Sequence, residues 1–351
     1  MMKLWQDKLR KIDPYVPGEQ SDAPGLVKLN ANENPYPPSP RVQELLRGAC
    51  AADFRRYPDA NGSNLRRALA KHFGLGEDQV FMGNGSDDVL ALCFQAFFAS
   101  GQPILFPDIT YSFYPVWCDL LRVPFERVPL GDDFRIDPRS FDRPNGGVIF
   151  PNPNAPTSLG EGPGFIEDIL QHNQDCIVIV DEAYIDFGGV SSVPLLEKYG
   201  NLVVVQTMSK SRSLAGLRIG YALCAPELCA VLDAVKNSYN SYTMDMLALA
   251  CGTASVEDDA YFRETCAKVV ATRERSAEQL RGLGFTVLPS QTNFLFATHE
   301  KHAAKAIFEA LREKNIFIRY FNSPRVDNYL RITVGTEEEM DRLAAALQEV
   351  L

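Results

Sequence analysis

The sequence has no apolar run long enough to span a bilayer: stretches such as Val89 to Ala99 fall far short of the ~20 residues a spanning helix needs. It has no basic block either. With 35 Lys and Arg against 45 Asp and Glu, the formal charge is −10 and the pI is near 5.0, which argues against a nucleic-acid partner, whose phosphates need a basic surface. The eight cysteines include no C-x-x-C pair, and contexts such as Leu92-Cys93-Phe94 read as reduced core thiols, not a disulfide frame or a zinc site. The four histidines form no H-E-x-x-H, and there is no G-x-S-x-G elbow, so metal-dependent and Ser/His/Asp hydrolysis have no foothold. The N-terminus is charged almost at once and lacks an apolar signal-peptide core, so the expected compartment is the cytoplasm and no membrane is involved. A Gly/Ser linker, a low-complexity tract and an internal repeat are all missing, so any two lobes must be joined by helix or short loops.

What is present is an alternation. Of 351 residues, 46% are hydrophobic, enough for about two domains. Asp13-Pro14-Tyr15-Val16-Pro17-Gly18 and Leu29-Asn30-Ala31-Asn32-Glu33-Asn34-Pro35 are irregular, since each proline keeps its predecessor out of the α region. Helices are expected from Pro40 to Ala52 and from Ser63, acting as its cap, to Gly74. From Val80 to about Leu223, short apolar strands (Val80-Met82, Ile104-Phe106, Val123-Val128, Val148-Phe150, Cys176-Val180, Leu202-Gln206, Arg218-Cys224) alternate with helices (Ser86 to Ala99, Tyr111 to Leu121, Gly164 to His172). This predicts an α/β fold with a mostly parallel, doubly wound sheet. Beyond Pro226 a long helix from Asp258 to Gly282, strands at Phe285-Leu288 and Phe294-Ala297, a stripe of Ala303, Ala306, Ile307, Ala310 and Leu311, and a Thr336-x-x-Glu339 capping box predict a smaller α+β domain.

Three polar positions stand out against this frame. Leu202-Val203-Val204-Val205 is short, β-branched and without polar alternation, as expected of a strand buried on both faces, and Lys210 falls just past its C-terminal end. Ligands bind at that edge of open α/β sheets, and a partly desolvated lysine there favours its neutral form and can condense with a carbonyl to a Schiff base. Gly83-Asn84-Gly85-Ser86-Asp87-Asp88 joins a strand to a helix whose first-turn amides suit a phosphate, although a plain Ser86 cap would explain the same residues. Arg218 would add a charge-assisted contact to that phosphate. Asp181 ends the run Cys176-Ile177-Val178-Ile179-Val180, where a carboxylate needs a cation, a cap or solvent; a protonated heteroaromatic ring nitrogen would be such a cation.

Taken together, Ser209-Lys210-x-x-x-Leu214-Ala215-Gly216-Leu217-Arg218-x-Gly220, Asp181-x-x-Tyr184, Gly83-x-Gly85-Ser86-Asp87 and Pro151-Asn152-Pro153-Asn154-Ala155-Pro156-Thr157 resemble the fold-type I pyridoxal-phosphate aminotransferases. The resemblance runs from Tyr15-x-Pro17-Gly18 through Arg56-Tyr57-Pro58 to Tyr329-Leu330-Arg331-Ile332-Thr333-Val334-Gly335-Thr336. It implies an arm over 1–32 that packs with the small domain and a partner subunit, a large domain over 33–245 that binds pyridoxal 5′-phosphate, and a small domain over 246–351. It also implies that Lys210 holds the cofactor, Asp181 faces its ring nitrogen, Tyr184 hydrogen-bonds its phenolic oxygen and Tyr111 stacks on its ring. Gly85, Ser86, Asp87, Ser209 and Arg218 would hold the phosphate, and Tyr57 would reach the phosphate in the neighbouring subunit of a homodimer with shared sites. Relatives read Asn-Asn-Pro-Thr-Gly where this chain has Asn154-Ala155-Pro156-Thr157-Ser158, and Asn154 is taken as the contact to the phenolic oxygen. Ile109 also replaces a common proline before Thr110-Tyr111.

Within that family the motifs are most similar to the branch that moves the amino group of L-histidinol phosphate to 2-oxoglutarate. Arg331 and Arg319 match its substrate-anchoring arginines, Tyr15 the arm residue that closes over substrate, and Asn32 and Tyr239 further contacts, the last across the dimer; Asn293 is expected to order the small domain. The freed Lys210 would carry the proton in a ping-pong cycle. Three alternatives stay open: an aromatic amino-acid aminotransferase, a lyase similar to threonine-phosphate decarboxylase, and a cofactor-binding regulatory module. The last needs a DNA-binding extension; fewer than 40 residues precede Asn34-Pro35, and the charge is acidic.

Overall fold

The computed structural model describes residues 5, 8–16, 18–20 and 24–351. Most of the first seven residues, and Pro17 of the arm motif, lie outside the described residues. In chain order the elements begin with β1 (Val27–Lys28), α1 (Pro40–Gly48), α2 (Ser63–Phe73), β2 (Val80–Asn84), α3 (Ser86–Phe97), β3 (Ile104–Pro107), α4 (Phe113–Leu121) and β4 (Phe125–Val128). Next come β5 (Val148–Pro151), α5 (Pro163–His172), β6 (Val178–Asp181), β7 (Leu202–Thr207), β8 (Ile219–Cys224), α6 (Pro226–Tyr239), α7 (Met246–Glu257) and α8 (Asp259–Gly282). The C-terminal part holds β9 (Phe285–Val287), β10 (Phe294–His299), α9 (Ala304–Glu313), β11 (Ile316–Phe317), β12 (Arg319–Tyr320), β13 (Leu330–Thr333) and α10 (Glu337–Val350).

The large sheet has seven strands in the order β2-β8-β7-β6-β5-β3-β4. β8 pairs antiparallel with both β7 and β2, whereas β3 to β7 pair in parallel. The pleat sorts the core into two layers. Phe150, Val178, Val180 and Val204 pack with residues of α1, α2, α5 and α7 on one face, and Ile149, Ile179, Val203 and Val205 with residues of α3, α4 and α6 on the other. Both faces are covered, which is why these strands read as continuous apolar runs. Crossovers bring the C-terminal ends of β2, β3, β5, β6 and β7, with the start of antiparallel β8, to one edge. The site forms there.

Local details depart from expectation at several points. Gly62, not Ser63, occupies the cap of α2 with a left-handed φ of 55°, and Asp59 takes over the capping by accepting the Ser63 amide at 2.8 Å. The α1 helix stops at Gly48 and gives way to a short 3-10 turn over Ala51–Arg55. On α9 the buried side is Ala304, Ile307 and Leu311, and Ala303 and Ala306 face solvent. The capping box of α10 forms as read, with the Thr336 hydroxyl accepting the Glu339 amide at 3.2 Å and the Glu339 carboxylate accepting the Thr336 amide at 2.7 Å. The α7 helix, which the sequence assigned to the small domain, buries Ala248, Cys251 and Val256 in the same apolar core as α1, α2 and α5. Beyond it, β12-β13-β10-β9 form a four-stranded antiparallel sheet covered by α9 and α10, and β1 of the arm pairs in parallel with β11.

Candidate active site

Lys210 lies three residues past the end of β7, where the chain must turn back towards β8. Thr207 accepts the Ser209 amide at 3.1 Å and its hydroxyl reaches the Ile219 carbonyl at 3.1 Å, which ties the start of the turn to β8. From the N-terminal segment, the Asn34 amide donates to the Lys210 carbonyl at 2.9 Å, and Lys210 Nζ donates to the Ala31 carbonyl at 3.1 Å. Burial, followed by the nearby Arg331 charge, lowers the ammonium to about 8, so a usable fraction of the amine is neutral near physiological pH.

Asp181 closes β6 and is buried. Tyr114 donates to its Oδ2 at 3.0 Å and the Ala183 amide to its Oδ1 at 3.2 Å, yet burial outweighs both and pushes the carboxyl up to about 7. Among the described residues Asp181 forms no ion pair, so the structure presents a desolvated carboxylate whose natural complement is a cation. Tyr184, three residues on, accepts from the Asn32 amide at 2.8 Å. Asn32 is held in turn: its backbone N–H donates to Thr333 Oγ1 at 3.0 Å, and the Asn293 side-chain amide donates to its backbone carbonyl at 3.0 Å.

The third element is the β2–α3 junction. Gly85 has φ 85° and no side chain caps α3, so the sequence's alternative of a plain Ser86 cap is not realised and the first-turn amides stay available for an anion. Arg218, itself left-handed at φ 51°, lays its guanidinium against Gly85, where an added Cβ would lie 2.5 Å from Nη2. Gly220 packs so closely that a Cβ would meet Gly85 C and Ser86 N at 2.3 Å. Asp87 accepts from Arg218 at 3.0 Å and from the Tyr111 hydroxyl at 2.7 Å, which orients the Tyr111 ring.

These parts border one cavity of about 200 Å³ between the lobes, lined by Lys210, Asp181, Tyr184, Ser86, Asp87, Tyr111, Ser209 and Arg218, and by Tyr15, Asn32, Arg319 and Arg331 from the arm and small domain. Tyr15 stacks on Phe113 with ring centroids 4.5 Å apart, which holds the arm across the mouth. Four expected residues do not line it: Gly85, which lies behind Ser86 and the Arg218 guanidinium, and Asn154, Tyr57 and Tyr239. Asn154 is buried but turns its amide to the Ile109 carbonyl at 3.0 Å and to Thr157 at 2.9 Å; Ala155 forms the wall instead. Tyr57 and Tyr239 are 81% and 73% exposed on the surface, Tyr57 stacked on Tyr242. Sequence reasoning missed Tyr114 as the donor to Asp181. Tyr111 precedes α4 and Tyr114 lies in its first turn, and which face of that helix meets the strand end is a matter of packing.

The comparisons agree with this geometry. The family model for class I and II aminotransferases matches residues 24–347. The chain is 52% identical to histidinol-phosphate aminotransferase of Acinetobacter baumannii (strain SDF), over 99% of this chain and 97% of that one. It is 50% identical to histidinol-phosphate aminotransferase 2 of Dechloromonas aromatica (strain RCB), over 100% of this chain and 99% of that one. The crystal structure of histidinol-phosphate aminotransferase from Sinorhizobium meliloti in complex with pyridoxal-5′-phosphate superposes with a TM-score of 0.84 at 28% identity, covering 92% of this chain and 90% of that chain. The chain belongs to the class I and II aminotransferases and, within them, groups with the histidinol-phosphate aminotransferases.

Proposed function

We propose that the protein catalyses transamination between L-histidinol phosphate and 2-oxoglutarate in histidine biosynthesis, using pyridoxal 5′-phosphate held at Lys210. The observation that carries this reading is the convergence of Lys210, Asp181, the helix start at Ser86 and Arg218 on one cavity that also contains Arg319 and Arg331. The donor set fits the cofactor: an uncapped helix start and a guanidinium for a phosphate, a buried carboxylate without a cation for a protonated ring nitrogen, and a lysine with a depressed pKa for an aldehyde. When bound, the cofactor supplies an electron sink for the carbanion left when the substrate carbon loses its proton. Asp181 keeps the ring nitrogen protonated, and Lys210, near neutrality in its proton affinity, moves the proton at that carbon. Tyr184, fixed by Asn32, hydrogen-bonds the phenolic oxygen, a role that falls more heavily on it because Ala155 offers no donor there.

Arg331 supports the substrate assignment. It is partly buried, donates to the Asn30 carbonyl at 3.1 Å, and among the described residues leaves its buried Nε without a partner, so an anionic group would complete it. Arg331→Ala is expected to raise KM for both the phosphorylated amine and the oxo acid by about 100-fold, the cost of truncating one side of a desolvated charge pair. Steady-state kinetics check this, and an unchanged KM for both would remove Arg331 from the site. Gly220→Ala is expected to weaken cofactor binding about tenfold or more, because its Cβ can be accommodated only by shifting the Gly85–Ser86 backbone. Equilibrium dialysis gives that number. The exposed Tyr57, Tyr242 and Tyr239 support a homodimer with shared sites.

The direct test is a single half-turnover: the yellow protein is mixed with L-histidinol phosphate or, separately, with L-phenylalanine, and loss of the cofactor's absorbance is followed. Rapid loss at low histidinol phosphate is expected. Loss with phenylalanine alone would move the protein to aromatic amino-acid metabolism.

A further inference from the structure

Arg319 and Arg331 are register partners on the antiparallel pair β12–β13, which sets two like charges directly opposite each other. Such a pair is destabilising on its own. Among the described residues neither arginine has an ion-pair partner, and Arg331 is held below the ordinary arginine range by burial, with Arg319 acting in the same direction. Something other than a carboxylate must therefore hold the two guanidinium groups together at the cavity.

The Phe321 ring stands between them. Its centroid is 5.6 Å from Arg319 Cζ and 5.5 Å from Arg331 Cζ, and Phe294 covers Arg331 from another direction at 5.3 Å. Phe321 does not border the 200 Å³ cavity; it borders an outer chamber of about 440 Å³ that shares Tyr15, Tyr111, Arg319 and Arg331 with it. We infer that Phe321 is the positioning residue of the anion site: its π face attracts both cations, offsets their repulsion without neutralising them, and keeps both aimed at one anionic group. A carboxylate in its place would also hold the arginines, but it would consume the charge that the ligand needs. An aromatic ring retains it.

This inference rests on the reading of Arg319 and Arg331 as substrate-anchoring residues, and the experiment separates the two. Steady-state kinetics of the holoenzyme with L-histidinol phosphate and 2-oxoglutarate are compared for wild type, Phe321→Leu, Phe321→Tyr, Arg331→Gln, Arg319→Gln and the double variant Phe321→Leu/Arg331→Gln. Phe321→Leu, which keeps apolar volume but has no π face, is expected to raise KM for both substrates about tenfold with kcat within about twofold of wild type. Phe321→Tyr is expected to restore KM to within about threefold. In the double variant the Phe321 effect is expected to shrink, since it acts through the missing guanidinium. Arginine variants that leave both KM values unchanged would overturn the underlying reading. Arginine variants that raise KM while Phe321→Leu does not, a Phe321→Tyr as impaired as Phe321→Leu, or effects that simply add in the double variant, would overturn the role of Phe321.

Discussion

Lys210→Ala is expected to lose turnover by on the order of 10⁴-fold while remaining folded and retaining part of its cofactor. On the proposed function, the rate loss follows from removing the side chain that would both hold the cofactor's carbonyl carbon and carry the proton. Folding should survive because the ammonium makes one hydrogen bond, to the Ala31 carbonyl, and is destabilised by its surroundings, as its lowering to about 8 shows. Cofactor retention should survive in part because the Gly85–Ser86 amides, Arg218 and Asp181 do not depend on the lysine. Stopped-flow half-turnover and the cofactor content after dialysis measure the two halves separately, and turnover near the wild-type rate would remove Lys210 from its role. The same depressed pKa gives a pH signature. Cofactor uptake by cofactor-free enzyme needs the neutral amine, so its rate should climb about tenfold per pH unit below 8 and level off above it.

Asp181→Asn should have opposite effects on the empty and loaded protein. In the cofactor-free chain the carboxyl is raised from 3.8 to about 7 by burial, so folding takes up a proton. Below pH 4 both folded and unfolded states are protonated and there is no cost. Between about pH 4 and 7 the unfolded state ionises first, the cost of burying the carboxylate grows, and above 7 it is complete. The asparagine variant escapes this, and should be more stable than cofactor-free wild type by roughly 1–3 kcal/mol at pH 8, short of the full linkage value because its amide N–H finds fewer partners than the carboxylate had. The advantage should vanish near pH 4. With cofactor bound the order reverses, since the wild-type carboxylate then faces a cation and the variant does not. Turnover should fall by on the order of 10³-fold as the ring nitrogen loses the group that keeps it protonated. Denaturant unfolding with and without cofactor at pH 4 and pH 8 checks all of this, and a variant less stable than wild type when cofactor-free at pH 8 would show that Asp181 is not strained by burial.

The tension in Asp181 explains why so much of this site was legible in one dimension. A strand buried on both faces is apolar until near its end, so a polar residue that closes such a run is conspicuous; Asp181 after Cys176 to Val180 is of this kind, and Lys210 follows three residues past the end of β7. Gly85 and Gly220 are legible for a related reason, because close backbone approach admits no Cβ. The strands β2 to β10 were read to within a residue or two.

What was not legible depends on which way side chains point and on which distant segments meet. Asn154 and Ala155 are adjacent in sequence, but the hydrogen bonds of Asn154 to Ile109 and Thr157 turn its amide away and leave Ala155 on the wall. The α7 helix reads as the start of a new domain, yet it packs against α1 and α2. Tyr114 reaches Asp181 only because α4 lies across the end of β6.

The sequence by itself determined the chemistry: an amine, a carboxylate and a phosphate cradle at the ends of buried strands, because hydrophobic periodicity forces polar groups to those ends. Only the tertiary structure decided how the arginines are held, because Arg319, Phe321 and Arg331 meet through a strand pairing whose register no local pattern encodes.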